Sequence, residues 1–415
     1  MYTPPVAGET AHRTALIWAD PAQASWLSVA ATRAGLKTVG AGSPESGRGP
    51  EVVAGLCGDR DAAPAFDDLR AMLHSAQADV VLIASPGDFA GGQRQGTMDR
   101  EDASALAACR GRGVRVATIE PMPCSALQLG VTIDALAASE AEAEAEVVAA
   151  PAGAGVVLGQ GSPLRAEEPR EAAARVRGAN DAGGGWARTL PLLRHSRATR
   201  EAADVLEHFG HVRTVMFRGW CTRGQGSLGA RLFDALDTIV SLLGTPEQVH
   251  ATYVWPVRGR PVHPTTDETL RGLSGDLTAN LRFADGRTAA VAVSDCASRW
   301  SRAVTLIGDG GRLWVSDDAP DGMGTGTGGF VWLNADGTTV DVSRSMREAR
   351  TEGRTDEALV EAVADALSRL LDPRVPAPAP TDTAAVLATA GAALLSARTG
   401  EAELPDTILR MVKGR

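Results

Sequence analysis

Lysine is almost absent from this chain: of its 41 lysine and arginine residues, only Lys37 and Lys413 are lysine. A GC-rich genome produces such a bias without any functional cause, but it leaves almost no amine for catalysis. Glycine is missing between Ala15 and Ala34, where the first strand-like run turns into the first helix-like stretch. A dinucleotide-binding turn needs glycine there, because a β-carbon blocks the tight turn and the approach of backbone N–H groups to a pyrophosphate. Asp20 and Pro21 stand instead, a helix N-cap followed by proline at the first helical position. A carboxylate thus already occupies the N–H groups and the positive helix end that would receive phosphate.

Other absences exclude whole classes. No apolar run approaches the roughly 20 residues that span a bilayer, so no membrane partner is expected. The opening MYTPPVAGETAHRT lacks a basic n-region, an apolar core and a twin-arginine pair, which makes the cytoplasm the expected location. A net charge of −10 disfavours a nucleic-acid partner. Cys57, Cys109, Cys124, Cys221 and Cys296 are scattered without a CxxC pair and read as free thiols. His74, His250 and His263 have no partner at metal-ligand spacing, and His208 and His211 flank a glycine turn, so no metal is expected.

At 415 residues the chain calls for two domains. Strand-like runs at Thr14–Ala19, Leu36–Val39, Asp79–Ser85 and Val114–Ile119 alternate with helix-like Pro21–Arg33, Phe66–Leu73 and Ser104–Arg110. That alternation implies an α/β fold with a Rossmann-like, doubly wound parallel sheet over residues 1–137. Its ligand crevice is expected among Trp18–Ala22, Gly40–Ser43, Ser85–Phe89 and Glu120–Cys124. Residues 138–187, with the run ASEAEAEAE and then Gly, Pro and Arg, read as an irregular connection. Residues 188–415 predict an α+β domain with a large, mostly antiparallel open sheet. Its strands run from Val212–Trp220 to Phe330–Leu333, a helix lies over Leu232–Leu243, and helices over Glu357–Leu371 and Thr383–Arg398 are candidates to pack back on the first domain.

Several strings in this order resemble the glucose-fructose oxidoreductase, inositol dehydrogenase and MocA (Gfo/Idh/MocA) family. DVVLIASP resembles its fourth-strand motif, and VRVATIEPMP falls at its Glu-Lys-Pro signature. GSLGARLFDALDTIVSLLGTPEQVHA resembles its glycine-rich entry, catalytic helix and exit, while FADGRTAAVAVS and VTLIGDGGRLWVSDD resemble its sheet strands. The resemblance implies an oxidoreductase fold, NAD or NADP as cofactor, a carbohydrate-like ligand, and oligomers built on the open sheet. These would be a homo-oligomer (dimer or tetramer) or a hetero-oligomer with an active paralogue. The implied cofactor-binding positions are Asp20, Ser85, Pro86, Glu120 and Met122.

The chemical positions depart from that pattern. Pro121 stands where the family has its catalytic lysine, and Asp234 where it has its general-base histidine; of the helix motif only Asp237 matches. Asp234 and Asp237 are three apart and share a helix face. Either they are solvated or capping residues, or, if that face lines the crevice, one takes a proton from a carbinol. Arg194 or His195 is the candidate electrophile. Arg194 and Arg197, on the segment resembling the substrate-lining strand, are candidates for holding hydroxyls or a carboxylate, or for structural ion pairs. Trp220 and Arg223 are placed to stack on a sugar ring, although Trp220, like Trp300, equally suits the core. Two functions follow. One is a degenerate, non-catalytic member acting as a ligand-binding or partner subunit; the other is an active NAD(P)-dependent oxidoreductase on a sugar, inositol or polyol, with Asp234 as base. A dinucleotide is expected to bind weakly or not at all.

Overall fold

The computed structural model describes residues 13–57, 63–89, 100–126, 128–129, 187–255, 269–318, 327–343, 357–376 and 378–413. All but the last residue of the expected connection at 138–187 lies outside the described residues.

The short apolar runs form a parallel sheet of six strands, β1 (Arg13–Trp18), β2 (Leu36–Gly42), β3 (Ala65–Phe66), β4 (Val80–Ile83), β5 (Arg115–Thr118) and β6 (Arg188–Thr189). Their order is β3-β2-β1-β4-β5-β6. Every residue of β4 is buried, as a strand covered on both faces requires. Helices α1 (Ala24–Arg33) and α2 (Gly49–Cys57) share one core with the sheet, and α3 (Leu69–Ser75) and α4 (Arg100–Gly111) share another. Connections diverge between β1 and β4, which opens a crevice beyond their carboxyl ends. Because β6 pairs with β5, the span expected to begin the second domain at residue 188 starts as a strand of the first sheet.

Helices α5 (Arg197–Glu201) and α6 (Ala203–His208) lead into the second sheet. Its strands are β7 (Val212–Trp220), β8 (Gln248–Val254), β9 (Asp276–Arg282), β10 (Thr288–Ser294), β11 (Ser301–Gly308), β12 (Gly311–Asp318), β13 (Thr327–Leu333) and β14 (Thr339–Val342). The order is β14-β13-β12-β11-β7-β10-β9-β8, and all pairings are antiparallel except β7 with β10. Buried and open residues alternate strictly along β8 and β9, so one face is core and the other open.

The helix α7 (Leu228–Leu243) lies on the buried face, capped by Ser227, whose Oγ accepts the Ala230 N–H at 3.1 Å. The last helices divide between the domains. α8 (Glu357–Leu371) packs Leu359, Val363 and Leu367 against α1, with Glu357 paired to Arg33 at 2.6 Å. α9 (Thr383–Thr399) packs Val386, Leu387 and Ala390 in the core of α7, and α10 (Pro405–Lys413) adds Ile408 to it. No helix among the described residues is long and apolar enough to cross a membrane.

Candidate functional site: the crevice between the sheets

The first turn after β1 is a single 3-10 turn, Pro21–Gln23, with a complete capping box. Asp20 Oδ1 accepts the Ala22 N–H at 2.8 Å, and Gln23 Oε1 accepts the Asp20 N–H at 3.1 Å. Ser85, beyond β4, donates its hydroxyl to the same Gln23 oxygen at 2.8 Å. Trp26 on α1 donates its indole N–H to the Gly224 carbonyl at 2.8 Å and ties this end of the first sheet to the second domain. Side chains of the turn thus engage two of its own N–H groups, those of Asp20 and Ala22.

Beside this turn lies a cavity of about 550 Å³. The first domain contributes Gln23, Ser85, Pro86, Gly87 and Glu120. The second contributes Arg223, Gly226, Ser227, Trp255, Arg271 and Asp295, among others. Glu120 accepts the Ser227 N–H at 2.9 Å and the Ser227 hydroxyl, so a carboxylate from the first domain sits at the start of α7. Burial raises the Glu120 pKa, opposed by these hydrogen bonds and by the charges of Arg231 and Arg271. Asp295 Oδ1 accepts the Gly275 N–H at 2.7 Å and the Ser274 hydroxyl at 3.2 Å. Arg271 donates Nη1 to the Phe89 carbonyl at 2.5 Å.

Of the residues singled out in the sequence, Ser85, Pro86, Glu120 and Arg223 line this cavity. Asp20 lies at its edge of the fold as a cap rather than a ligand for phosphate. Met122 is 2 % exposed and packed in the core of α3 and α4, because the chain turns inward after Glu120. Its position as a cofactor contact is corrected accordingly.

Asp234 and Asp237 are neither solvated nor capping: they are 1 % and 2 % exposed, since the face of α7 that carries them packs under the segment 190–195 and against β11. Asp234 Oδ1 accepts the Leu193 N–H at 2.7 Å, and its Oδ2 accepts Arg302 Nη1 at 2.6 Å. Arg302 also donates to the Pro191 carbonyl at 2.7 Å and, through Nε, to Asp317 at 2.6 Å. Burial works against the Arg302 charge, but Asp234 and Asp317 outweigh it and raise its pKa. With both oxygens engaged and no place on the cavity wall, Asp234 is not set to take a proton from a ligand there.

Asp237 holds Arg194 at 2.5 Å, and Arg194 reaches Thr381 at 3.0 Å, which is the ion-pair alternative for that arginine rather than a ligand contact. Burial pushes the Asp237 carboxyl up to about 6, with Arg194 and Thr381 opposing. His195, next in sequence to Arg194, is pushed down to about 3 by burial and by Arg194, Arg188, Arg369 and Arg200, and it does not line the cavity. Arg197 is exposed and paired with Glu201 one turn along α5 at 2.8 Å. Trp220 ends β7, half-buried and outside the cavity lining. Trp300 is core: it is 1 % exposed, with the Arg231 guanidinium 4.0 Å from its ring centroid.

Sequence reasoning missed Gln23, Trp255, Arg271 and Asp295 as wall residues. Gln23 carried a signal, as the third residue of a capping box opened by Asp20. The other three lie in loops whose approach to the crevice depends on tertiary packing alone.

No family model matches the sequence, and no curated protein is significantly similar to it. Solved structures match along almost the whole chain. An oxidoreductase from Agrobacterium radiobacter, in complex with NAD+, L-tartaric acid and magnesium, is 15% identical with a TM-score of 0.53, covering 96% of this chain and 99% of that one. The myo-inositol 2-dehydrogenase of Lactobacillus plantarum is 14% identical with a TM-score of 0.52, over 94% of this chain and 99% of its own. The apo scyllo-inositol dehydrogenase of Lactobacillus casei is 14% identical with a TM-score of 0.53, over 95% and 98%. At such identities the likeness is one of fold: this chain shares the two-domain fold of these solved structures.

Proposed function

We propose that this chain keeps the oxidoreductase fold as a degenerate member, using the crevice to bind a small carbohydrate-like ligand without transferring hydride. It acts as a ligand-binding or partner subunit. The observation that carries this reading is the capping box of Asp20 and Gln23, at the turn after the first strand where this reading puts the pyrophosphate of a dinucleotide. The residues present do not fit that group: a carboxylate stands where anion-binding N–H groups are needed.

Hydride transfer requires the nicotinamide to be held against the substrate carbon and a group to accept the hydroxyl proton. The chain has proline at position 121, and Asp234 is committed to Arg302. Loss of positioning and of proton transfer together removes several orders of magnitude in rate. The NAD+ in the Agrobacterium structure supports a nicotinamide dinucleotide as the cofactor of the fold, and in this reading the present chain has lost it.

The open face of the second sheet supports self-association or pairing with an active paralogue. On it Met216 is 49% exposed, and Ile307, two residues beyond its cross-strand partner Thr305, is 36% exposed. The test of function is turnover: purified chain with NAD+ or NADP+ and a panel of polyols, inositols and aldoses is expected to show no nicotinamide reduction. Reduction that depends on the chain would overturn the non-catalytic reading.

A further inference from the structure

Two guanidiniums, Arg223 and Arg271, and two carboxylates, Glu120 and Asp295, line the crevice, and one guanidinium has donors to spare. Arg271, on the cavity wall, has its Nη1 anchored to the Phe89 carbonyl, while its Nε and Nη2 are buried and have no hydrogen-bond partner among the described residues. Those two N–H groups share one edge of the guanidinium, the edge that meets a carboxylate through two parallel hydrogen bonds. Buried donors without acceptors are uncommon and costly, so the edge calls for a partner.

Arg231 gives a second, independent observation. It is 2 % exposed, with Nε and Nη1 unpartnered among the described residues. It lies directly behind the wall: a β-carbon built on Gly226, a wall residue, would stand 3.7 Å from its Nη2. Gly226 has φ +141°, a conformation that side chains rarely adopt, so the wall stays thin at this point. Arg223 adds a third guanidinium. Against these stand two carboxylates, Glu120 bound to Ser227 and Asp295 bound to Ser274 and Gly275.

We propose that the crevice takes a sugar acid, a small polyhydroxylated carboxylate whose carboxylate docks on the buried, unpartnered edge of Arg271, with Arg223 and the buried Arg231 adding positive charge beside it. Its hydroxyl groups meet the Ser85 and Ser274 hydroxyls, each of which donates within the protein and keeps lone pairs to accept with. Trp255 offers an apolar ring to the sugar carbons. The proposal rests on the crevice being a ligand site and does not require that hydride transfer be absent.

The test is calorimetric titration of the full chain, at constant ionic strength, with D-gluconate and D-galacturonate, with D-glucose and D-galactose as uncharged counterparts, and with inorganic phosphate. At least one acid is expected to bind tighter than its neutral counterpart by about ten- to a hundred-fold. Arg271→Gln should lose a similar factor, and Arg223→Gln a smaller one, with thermal unfolding showing that both variants fold. Binding of neither acid, equal binding of acid and neutral sugar, or an unchanged affinity in folded Arg271→Gln would overturn the proposal. Phosphate binding tighter than both acids would also overturn it, by making the site one for a tetrahedral anion. A dinucleotide that bound or turned over would defeat the preceding functional reading and leave this one intact.

Discussion

Asp234→Asn removes one charge from the buried chain Asp234–Arg302–Asp317 and keeps the side-chain shape, so its effect measures what that residue does. The Arg302 and Asp234 side chains are 1% and 2% exposed. Removing one partner of a buried ion pair costs about 3–5 kcal/mol, because the remaining charge is left without compensation. Here Arg302 keeps Asp317 at 2.6 Å and the Pro191 carbonyl at 2.7 Å, which moves the expected loss to just below that range, about 2–3 kcal/mol. The assay is calorimetric unfolding of the full chain at neutral pH, read on the transition of the second domain because two domains need not unfold together. Combining it with Arg302→Met should cost less than the sum of the single variants by about 1–3 kcal/mol, the coupling of contacting residues. A loss below about 0.5 kcal/mol, the usual range for an unremarkable surface position, would refute the ion-pair account. So would a variant of unchanged stability that abolished a nicotinamide-linked activity.

Three further outcomes follow from the geometry. Burial holds the folded Asp237 carboxyl up to about 6, above its ordinary value of 3.8, so the folded chain binds more protons between those values and this group lowers stability as pH rises through the window. The full extent is on the order of 3 kcal/mol. Thermal unfolding should therefore show Asp237→Asn closer to the wild type at pH ~7 than at pH ~4.5; the opposite trend would mean that Arg194 keeps Asp237 ionised throughout. Gly229→Ala would place a β-carbon 1.9 Å from the Leu270 carbonyl oxygen, so about 1–3 kcal/mol of stability should be lost and ligand binding at the adjacent Arg271 weakened. Light scattering at micromolar concentration should show a dimer or larger, broken by Met216→Glu; a monomeric wild type would contradict use of the open sheet face.

The first sheet was legible because its strands are short runs covered on both faces and its helices begin and end at cap signals. Asp20-Pro21 told the cap of the first turn, though not the Gln23 half of its capping box. The second sheet was legible from its succession of strand-like runs, with Asp285-Gly286 and Asp336-Gly337 as turn signals between them. Elements without such signals were missed. Helix α2 begins at Gly49-Pro50, in a glycine-rich stretch, and β6 is two residues long and exists only through its pairing with β5. Helix α7 begins at Leu228, four residues before the expected Leu232, because Ser227 caps it.

At the site, spacing placed Asp234 and Asp237 on one helix face. It could not say what lies on that face: Leu193 and Arg302 are 41 and 68 residues away in sequence. Arg271 was invisible for the same reason, since its place on the wall is fixed by the neighbouring Leu270, whose N–H bonds the Cys124 carbonyl at 2.8 Å across the crevice.

The central claim, that the first turn has closed the dinucleotide seat, is tested most directly by calorimetric titration of the full chain with NAD+, NADH, NADP+ and NADPH, beside the Asp20→Gly variant. The wild type is expected to bind each dinucleotide no tighter than about 1 mM, a free energy of about −4 kcal/mol or weaker, and Asp20→Gly to bind measurably tighter because it removes both a negative charge and a β-carbon. Micromolar binding of any of the four to the wild type, or an affinity that Asp20→Gly leaves unchanged or lowers, would contradict it.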